Sequence, residues 1–231
     1  MEETKNKGVA MQKGICYIVG AGERPASLDV AKEGYWIAAD GGYAVLQAAG
    51  IKPDLVLGDF DSLGYVPRHP NLIRTPAEKD DTDTMLAIRQ GLDLGFRRFV
   101  LYGCLGGRLD HSLANIQALT YLARLGCQGI LAGRNENLTV VQNGQLRFLP
   151  SAKGYLSVFC LDNAAEGIDL VGLKYTLTNA SMTNDLPMGV SNEFLGLPAL
   201  VRVRRGTLAV IWSGSLFATL DHWAEDLNED R

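Results

Sequence analysis

The residues best suited to chemistry in this 231-residue chain are its aspartates. Six of them (Asp54, Asp59, Asp61, Asp80, Asp81 and Asp83) fall between positions 54 and 83. Asp59 and Asp61 alternate in Gly-Asp-Phe-Asp-Ser. In an extended segment, residues i and i+2 point the same way, so these carboxylates stand side by side. Like charges at that range repel unless a cation lies between them. Magnesium prefers oxygen ligands, keeps several waters, and is held by a few carboxylates together with substrate phosphates. Asp40 (in Ala-Asp-Gly-Gly), Asp80 and Asp83 (in Lys-Asp-Asp-Thr-Asp) and Asp110 extend the set. Each has a plainer use: Asp40 in an Asx turn, Asp80 as a helix cap with Asp83 on the first turn, Asp110 as the cap of a later helix. Their concentration favours one metal-nucleotide site over independent turns.

A complementary part lies at 103–108, where Gly103, Gly106 and Gly107 precede Arg108 and the chain runs on into a helix. Small residues let backbone N–H groups approach an anion, and a helix N-terminus favours negative charge. Arg108 can grip phosphate oxygens in a fork. Lys79, beside Asp80, could contact phosphate or be a surface charge. His111 reads as a packed helix residue rather than a base.

These residues need elements to position them. Up to position 134 strands alternate with helices: strands over 15–19, 36–39, 55–57, 98–102 and 129–131, and helices over 25–32, 43–49, 82–94 and 112–125. That alternation implies a mainly parallel sheet with helices on both faces, a Rossmann-like α/β unit. In such sheets ligands bind beyond the carboxyl ends of the strands. Asp40, Asp59 and Asp61 fall at such ends, and Asp80, Asp83 and Asp110 open helices. Near Asn135 the pattern changes to short β-prone runs over 139–142, 145–149, 155–161, 173–178, 200–204 and 208–212. Asn143-Gly144 carries a type I′ hairpin signal. The expected organisation is an α/β domain over 12–134, carrying the metal-nucleotide site, and an all-β sandwich over 135–223.

Composition excludes several classes. With 26 acidic and 22 basic residues the formal charge is -4, without the basic excess of a nucleic-acid binder. No apolar run approaches the ~20 residues of a membrane-spanning helix. The first thirteen residues are polar and hold no signal core, so a cytoplasmic protein is expected. Cys16, Cys104, Cys127 and Cys160 form no C-x-x-C pair and read as buried free thiols. The scattered His69, His111 and His222 argue against a zinc site. The P-loop, the dinucleotide fingerprint and G-x-S-x-G are all missing.

Five stretches together resemble the thiamine pyrophosphokinase (thiamine diphosphokinase) family: ADGG (39–42), PDLVLGDFDS (53–62), KDDTD (79–83), GGRLDHSLANI (106–116) and GVSNEF (189–194). The resemblance implies an α/β catalytic domain followed by a β-sandwich, and magnesium-dependent transfer of a pyrophosphoryl group from ATP to the hydroxyl of thiamine, releasing AMP. It places metal ligands at Asp40, Asp59, Asp61 and Asp83. Catalysis falls to Asp59, Asp61, Asp83 and Arg108, and nucleotide binding to Lys79, Asp80, Gly106, Gly107, Arg108 and Asp110. Asp59, Asp61 and Asp83 all stand as proton acceptors. Thiamine binding is implied for Ser191 and Asn192, with Phe194 or Trp212 as the stacking aromatic, in a homodimer whose active sites form between subunits. Neither nucleic acid nor membrane is an expected partner.

Three other readings compete. In an aspartyl-phosphate phosphohydrolase the first Asp of Asp-x-Asp is the nucleophile, which leaves the Arg108 loop and the β region without a role. A pyrophosphokinase could act on another alcohol, such as a pterin. A nucleotide sensor would not need so complete a metal clamp.

Overall fold

The structure, a computed structural model, describes residues 12, 14–24, 28, 34–76 and 81–221. The elements run β1 (Ile15–Val19), β2 (Gly34–Ala39), α1 (Gly42–Ala48), β3 (Leu55–Gly58), β4 (Leu72–Arg74), α2 (Asp83–Asp93), β5 (Arg98–Tyr102), α3 (Leu109–Arg124) and β6 (Gln128–Ala132). They continue as β7 (Glu136–Gln142), β8 (Gln145–Phe148), β9 (Tyr155–Cys160), β10 (Ala164–Val171), β11 (Leu177–Thr183), β12 (Gly189–Glu193), β13 (Ala199–Arg202), β14 (Thr207–Ser213) and α4 (Leu216–Thr219).

Continuously apolar strands such as Ile-Cys-Tyr-Ile-Val of β1 are buried on both faces, as a parallel sheet covered on both sides requires. Ile15, Tyr17 and Val19 face a core shared with Val45 and Leu46 of α1. That core continues through Ile168 and Leu170 of β10 and Val201 of β13. The alternate residues Cys16 and Ile18 face a second core with Ala87 and Ile88 of α2 and Leu119 and Leu122 of α3. One face of the main sheet is therefore covered by α1 and the second sheet, the other by α2 and α3.

Among the described residues the main sheet has ten strands in the order β12-β9-β14-β7-β6-β5-β1-β2-β3-β4, and the second has four in the order β11-β10-β13-β8. From β6 to β4 the pairings are parallel. From β6 to β12 they are antiparallel. The fold is thus mixed α/β, a large and mainly parallel sheet that runs on into an antiparallel, sandwich-like part. The change in pattern expected near Asn135 is the β6–β7 step, where the sheet changes sense without interruption. No helix among the described residues is long and apolar enough to cross a membrane. The four cysteines are free and buried.

Several local expectations need correction. β7 and β8 do not form a hairpin at Asn143-Gly144: both edges of β7 are already paired, with β6 and β14, so β8 joins the other sheet. Asn143 alone takes the left-handed backbone that a type I′ turn needs at both positions. Its side chain accepts from the Gly206 N–H at 2.9 Å and its own N–H donates to the Gly206 carbonyl at 3.0 Å, tying two crossings between the sheets together. The strand expected over 173–178 is displaced to β11. The helix expected from 112 begins at Leu109. β4, β10 and β12 were hidden by brevity or by polar content. The helix expected over 25–32 falls, apart from Leu28, outside the described residues.

The loops that leave β1 and β5 meet closely. Gly22 N–H donates to the Gly103 carbonyl at 2.9 Å, and Gly20 N–H to the Tyr102 carbonyl at 2.8 Å. A Cβ on Gly103, whose φ is +66°, would lie 2.4 Å from the Gly20 carbonyl oxygen. Gly103→Ala combines backbone strain with this clash and should cost about 2 kcal/mol or more. In a chain of this size that lowers the melting temperature by roughly 4–8 °C. Thermal denaturation reads it directly; an unchanged midpoint would mean that the two loops can part without cost.

Candidate active site

The strand ends deliver the acidic residues to one place. Asp40 follows β2 in left-handed backbone (φ +48°), fixed by its N–H donating to the Leu57 carbonyl at 2.8 Å. Beyond β3, Phe60 also takes a left-handed conformation (φ +64°) and is buried in the core that holds α1. That anchor leaves Asp59 and Asp61 outside. They do not converge through extended backbone, as their spacing suggested, but through a turn: Asp61 N–H donates to Asp59 Oδ1 at 3.2 Å.

One carboxylate oxygen each from Asp40, Asp59 and Asp61 lies within 4.8 Å of the others. Ser62 Oγ donates to Asp40 Oδ2 at 2.6 Å. Asp40 Oδ1 is buried with no hydrogen-bond partner among the described residues. A buried carboxylate oxygen without a donor is costly, and a divalent cation among the three carboxylates would satisfy it. The donor set is all oxygen and partly solvent-exposed, which suits magnesium.

Asp40 and Asp59, though not Asp61, line a cleft of about 520 Å³, within the range of small-molecule sites, together with Gly20, Gly22, Asp83, Gly103, Gly106, Gly107, Arg108 and His111. Asp83 lies on the first turn of α2, where its Oδ1 accepts from Thr75 Oγ1 at 3.4 Å. It lines the cleft without joining the compact trio. The cap of α2 is Thr82, which accepts from the Met85 N–H at 3.1 Å; the capping expected of Asp80 is thus taken by a neighbour. Lys79 and Asp80 themselves lie outside the described residues.

Opposite in charge stands Arg108, the N-cap residue of α3. Gly106 and Gly107 both have positive φ, so this approach to the helix cannot readily carry side chains. Arg108 grips Asp110 in a fork, Nε to Oδ1 at 3.1 Å and Nη2 to Oδ2 at 2.5 Å. This hydrogen bonding holds the Asp110 carboxyl below the usual carboxylate range and raises the Arg108 guanidinium. Asp110 is thus not the helix cap but a clamp on the arginine within the first turn. His111 is exposed on the cleft rather than packed.

Residue types alone did not reveal the floor of the cleft. Asn115 is buried and donates from Nδ2 to the Cys104 carbonyl at 2.6 Å, fixing the start of the glycine loop. Burial pushes the Cys104 thiol up to about 11, so it stays protonated. Gly20-Ala21-Gly22 directly after the first strand was the one signal in the sequence for the loop opposite.

Ser191 and Asn192 are not part of this cleft within one chain. They lie on β12, the edge strand at the far end of the main sheet. Ser191 is exposed, at a register shift, with φ +59°. Asn192 is buried and its amide bonds the backbone: it accepts from the N–H groups of Tyr175 and Glu193, both at 2.9 Å, and donates to the Tyr175 carbonyl at 2.6 Å. Trp212 is a core residue whose Nε1 donates to Thr219 Oγ1 at 3.0 Å. Phe194 is half-buried against Phe148.

Comparison with known proteins agrees in both halves of the chain. Residues 28–131 match the family model for the thiamin pyrophosphokinase catalytic domain, and residues 144–208 that for the thiamin pyrophosphokinase vitamin B1 binding domain. A thiamine pyrophosphokinase of Bacillus subtilis (strain 168) is 30% identical over 185 residues, covering 77% of this chain and 86% of that protein. Among solved structures, a thiamine pyrophosphokinase from Bacillus subtilis superposes with a TM-score of 0.75 at 26% identity, covering 87% of this chain and 100% of that one. A thiamin pyrophosphokinase family protein from Enterococcus faecalis gives 0.74 at 31% identity, covering 88% and 100%.

The Ser62 contact yields a direct test. Ser62→Ala removes the donor that orients Asp40 and should weaken divalent-cation binding about tenfold, at the lower end of the range for residues that orient metal ligands. Calorimetric titration with magnesium or manganese measures it. Unchanged affinity would show that Asp40 needs no orientation or binds no metal.

Proposed function

The chain belongs to the thiamin pyrophosphokinase family, and from that membership we infer that it transfers the pyrophosphoryl group of ATP to the hydroxyl of thiamine, giving thiamine diphosphate and AMP. The observation that carries the reading is the trio of Asp40, Asp59 and Asp61, with Asp40 Oδ1 buried and unpartnered among the described residues and with Asp40 and Asp59 in the same cleft as Arg108. Asp40, Asp59 and Asp61 would hold a magnesium ion, with Asp83 completing the acidic set from α2. When bound, the ion supplies positive charge against the polyphosphate. Positioning and charge stabilisation dominate phosphoryl transfer, so no covalent activation of the hydroxyl is needed. Asp59, Asp61 and Asp83 are the carboxylates to which the hydroxyl proton can pass. The Rossmann-like parallel half (12–134) carries the nucleotide, with Lys79 and Asp80 extending the phosphate contacts, and the antiparallel half (135–223) carries thiamine.

Arg108 is assigned to the phosphates. Its fork with Asp110 is solvent-exposed on both sides. Exposed ion pairs are worth little, so the guanidinium can exchange Asp110 for phosphate oxygens at small cost while staying oriented until then.

Thiamine needs a second copy of the chain. In the strand order β12 is first and β2 eighth, so seven spacings of about 4.8 Å put roughly 34 Å of sheet between Ser191 and Asp40. A homodimer that brings β12 of one subunit to the acidic cleft of the other resolves this separation. Ser191 presents the polar contact, and Asn192 shapes the segment by holding the loop of the exposed Tyr175, whose ring is available for stacking. We place the enzyme in the cytoplasm, where ATP is supplied and its four thiols stay reduced.

With Mg-ATP and thiamine, AMP and thiamine diphosphate should appear in equal amounts. ADP with thiamine monophosphate would show the wrong group transferred, and phosphate release without thiamine would favour the hydrolase reading. Asp59→Asn and Asp61→Asn should each lower turnover by at least ~100-fold with the fold intact.

Subunit sharing is tested by complementation. Asp61→Asn and Ser191→Trp should each be nearly inactive alone. Equal co-assembly should regain about a quarter of wild-type activity, since half the dimers are mixed and each mixed dimer holds one intact site. No recovery in verified mixed dimers would place both residues in the same subunit's site.

A further inference from the structure

The face that α3 packs inward buries Ser112, Asn115, Ala118, Leu119 and Leu122. Ala118, Leu119 and Leu122 are apolar, as a helix laid on a sheet requires. Ser112 and Asn115, one turn apart at the N-terminal end, break that pattern with polar groups that are costly to bury unpaired. Both are paired, and both are directed at the same segment, the glycine loop between β5 and α3.

Asn115 holds the Cys104 carbonyl at the start of the loop. Ser112 holds its far end. The Ser112 Oγ accepts from the Gly106 N–H at 3.1 Å. Its single proton is shared between the Arg108 carbonyl at 3.3 Å and the Gly106 carbonyl at 3.4 Å. A serine that bonds back to the carbonyl four residues earlier slightly destabilises its own helix. The helix therefore gains little from this side chain, whereas the loop gains an anchor on either side of Gly107.

That anchor matters because of what it leaves free. Gly107 and Arg108 line the acidic cleft, and among the described residues their N–H groups meet no acceptor. Gly106 (φ +85°) and Gly107 (φ +67°) are both left-handed, and successive N–H groups in such turns form a concavity that suits an anion. Glycine backbone has many alternative conformations, and fixing Gly106 and Arg108 removes them. Asn115 lines the cleft itself, but Ser112 does not, so Ser112 reaches a ligand only through the loop.

We propose that Ser112 is a positioning residue for the donor's polyphosphate, presetting the Gly107 and Arg108 N–H groups before the ligand arrives. The proposal rests on the pyrophosphoryl-transfer reading of the cleft, but its first test requires no turnover. Binding of magnesium pyrophosphate is titrated by calorimetry on the full chain, wild type, Ser112→Ala and Ser112→Thr, and KM is then measured for Mg-ATP and for thiamine. Alanine favours helix, so Ser112→Ala should melt close to wild type. It should weaken pyrophosphate about tenfold and raise the KM for Mg-ATP alike, since a hydrogen bond to a charged group is worth about one decade or more. The KM for thiamine should stay unchanged. Ser112→Thr, whose hydroxyl can bond the same carbonyl, should recover most of the lost affinity. A merely structural serine would lower the melting temperature and affect both substrates equally. That result, unchanged pyrophosphate affinity in Ser112→Ala, no recovery in a folded Ser112→Thr, or no pyrophosphate binding by wild type would each overturn the proposal. Pyrophosphate binding that depends on Ser112, in a chain that makes no thiamine diphosphate, would overturn the reaction and leave the positioning role standing.

Discussion

Three carboxylates held within 4.8 Å of one another repel, and no local preference of the chain would gather them. The framework around them is what imposes the gathering. β2 and β3 pair in parallel, so that both strands end at the same level. Phe60 is buried and cannot leave without opening the core, which keeps Asp59 and Asp61 at the surface on either side. Asp40 is held by a backbone bond to Leu57 and a side-chain bond to Ser62. Left-handed backbone at Asp40 and Phe60 is uncommon for residues other than glycine and is typical of sites where function opposes local preference. A cation bound among them, as proposed, would relieve this repulsion and give the buried Asp40 Oδ1 a partner.

The main sheet carries this constraint outward. Its parallel part aims every strand end at one rim, which is why loops from β1, β2, β3 and β5 all reach a single cleft. At β6–β7 the sheet changes sense, and the antiparallel strands beyond extend away from that rim's acidic end. A second sheet covers one face of this extension and leaves β12 as an edge. An exposed edge strand is a ready surface for another chain, and Val190 and Met188 are exposed on or just before it. Width of the sheet and placement of the two polar segments are consequences of one topology.

Much of this was legible in the sequence because it rests on local physics. β1, β5 and β6 are short apolar runs with few alternatives, and α2 and α3 show helical spacing with glycine stops. The acidic trio follows from Asp-x-Asp and Asp-Gly-Gly at strand ends. What escaped depends on tertiary competition. Asn143-Gly144 carries a strong hairpin signal, but the edges of β7 were already taken by longer pairings that no local window reveals. β10 holds Glu166 and Asp169 and reads as a loop, yet Asp169 is buried and paired with Arg202 and Arg204 across the sheet. Asp110 was expected to cap α3, but the helix begins earlier, at Leu109, so Asp110 lies inside its first turn and clamps Arg108 instead. Asn192 also bonds the backbone of Tyr175 and Glu193, which its place beside Ser191 did not foretell.

That last case bears on how the acceptor segment works. A buried amide that meets three backbone groups of Tyr175 and Glu193 fixes the shape of β12 where its register slips. Ser191, one residue before, is thereby forced into left-handed backbone with its side chain exposed. Asn192 thus supplies rigidity, while the Ser191 side chain stays exposed for the contact proposed for it. A rigid donor on an edge strand loses little entropy when a ligand or a second subunit arrives, which suits the proposed role of orienting an acceptor between two chains. The same division appears at the other pole, where Asp110 steadies Arg108 and Ser62 steadies Asp40. In each case a residue proposed to meet a ligand is steadied by a neighbour.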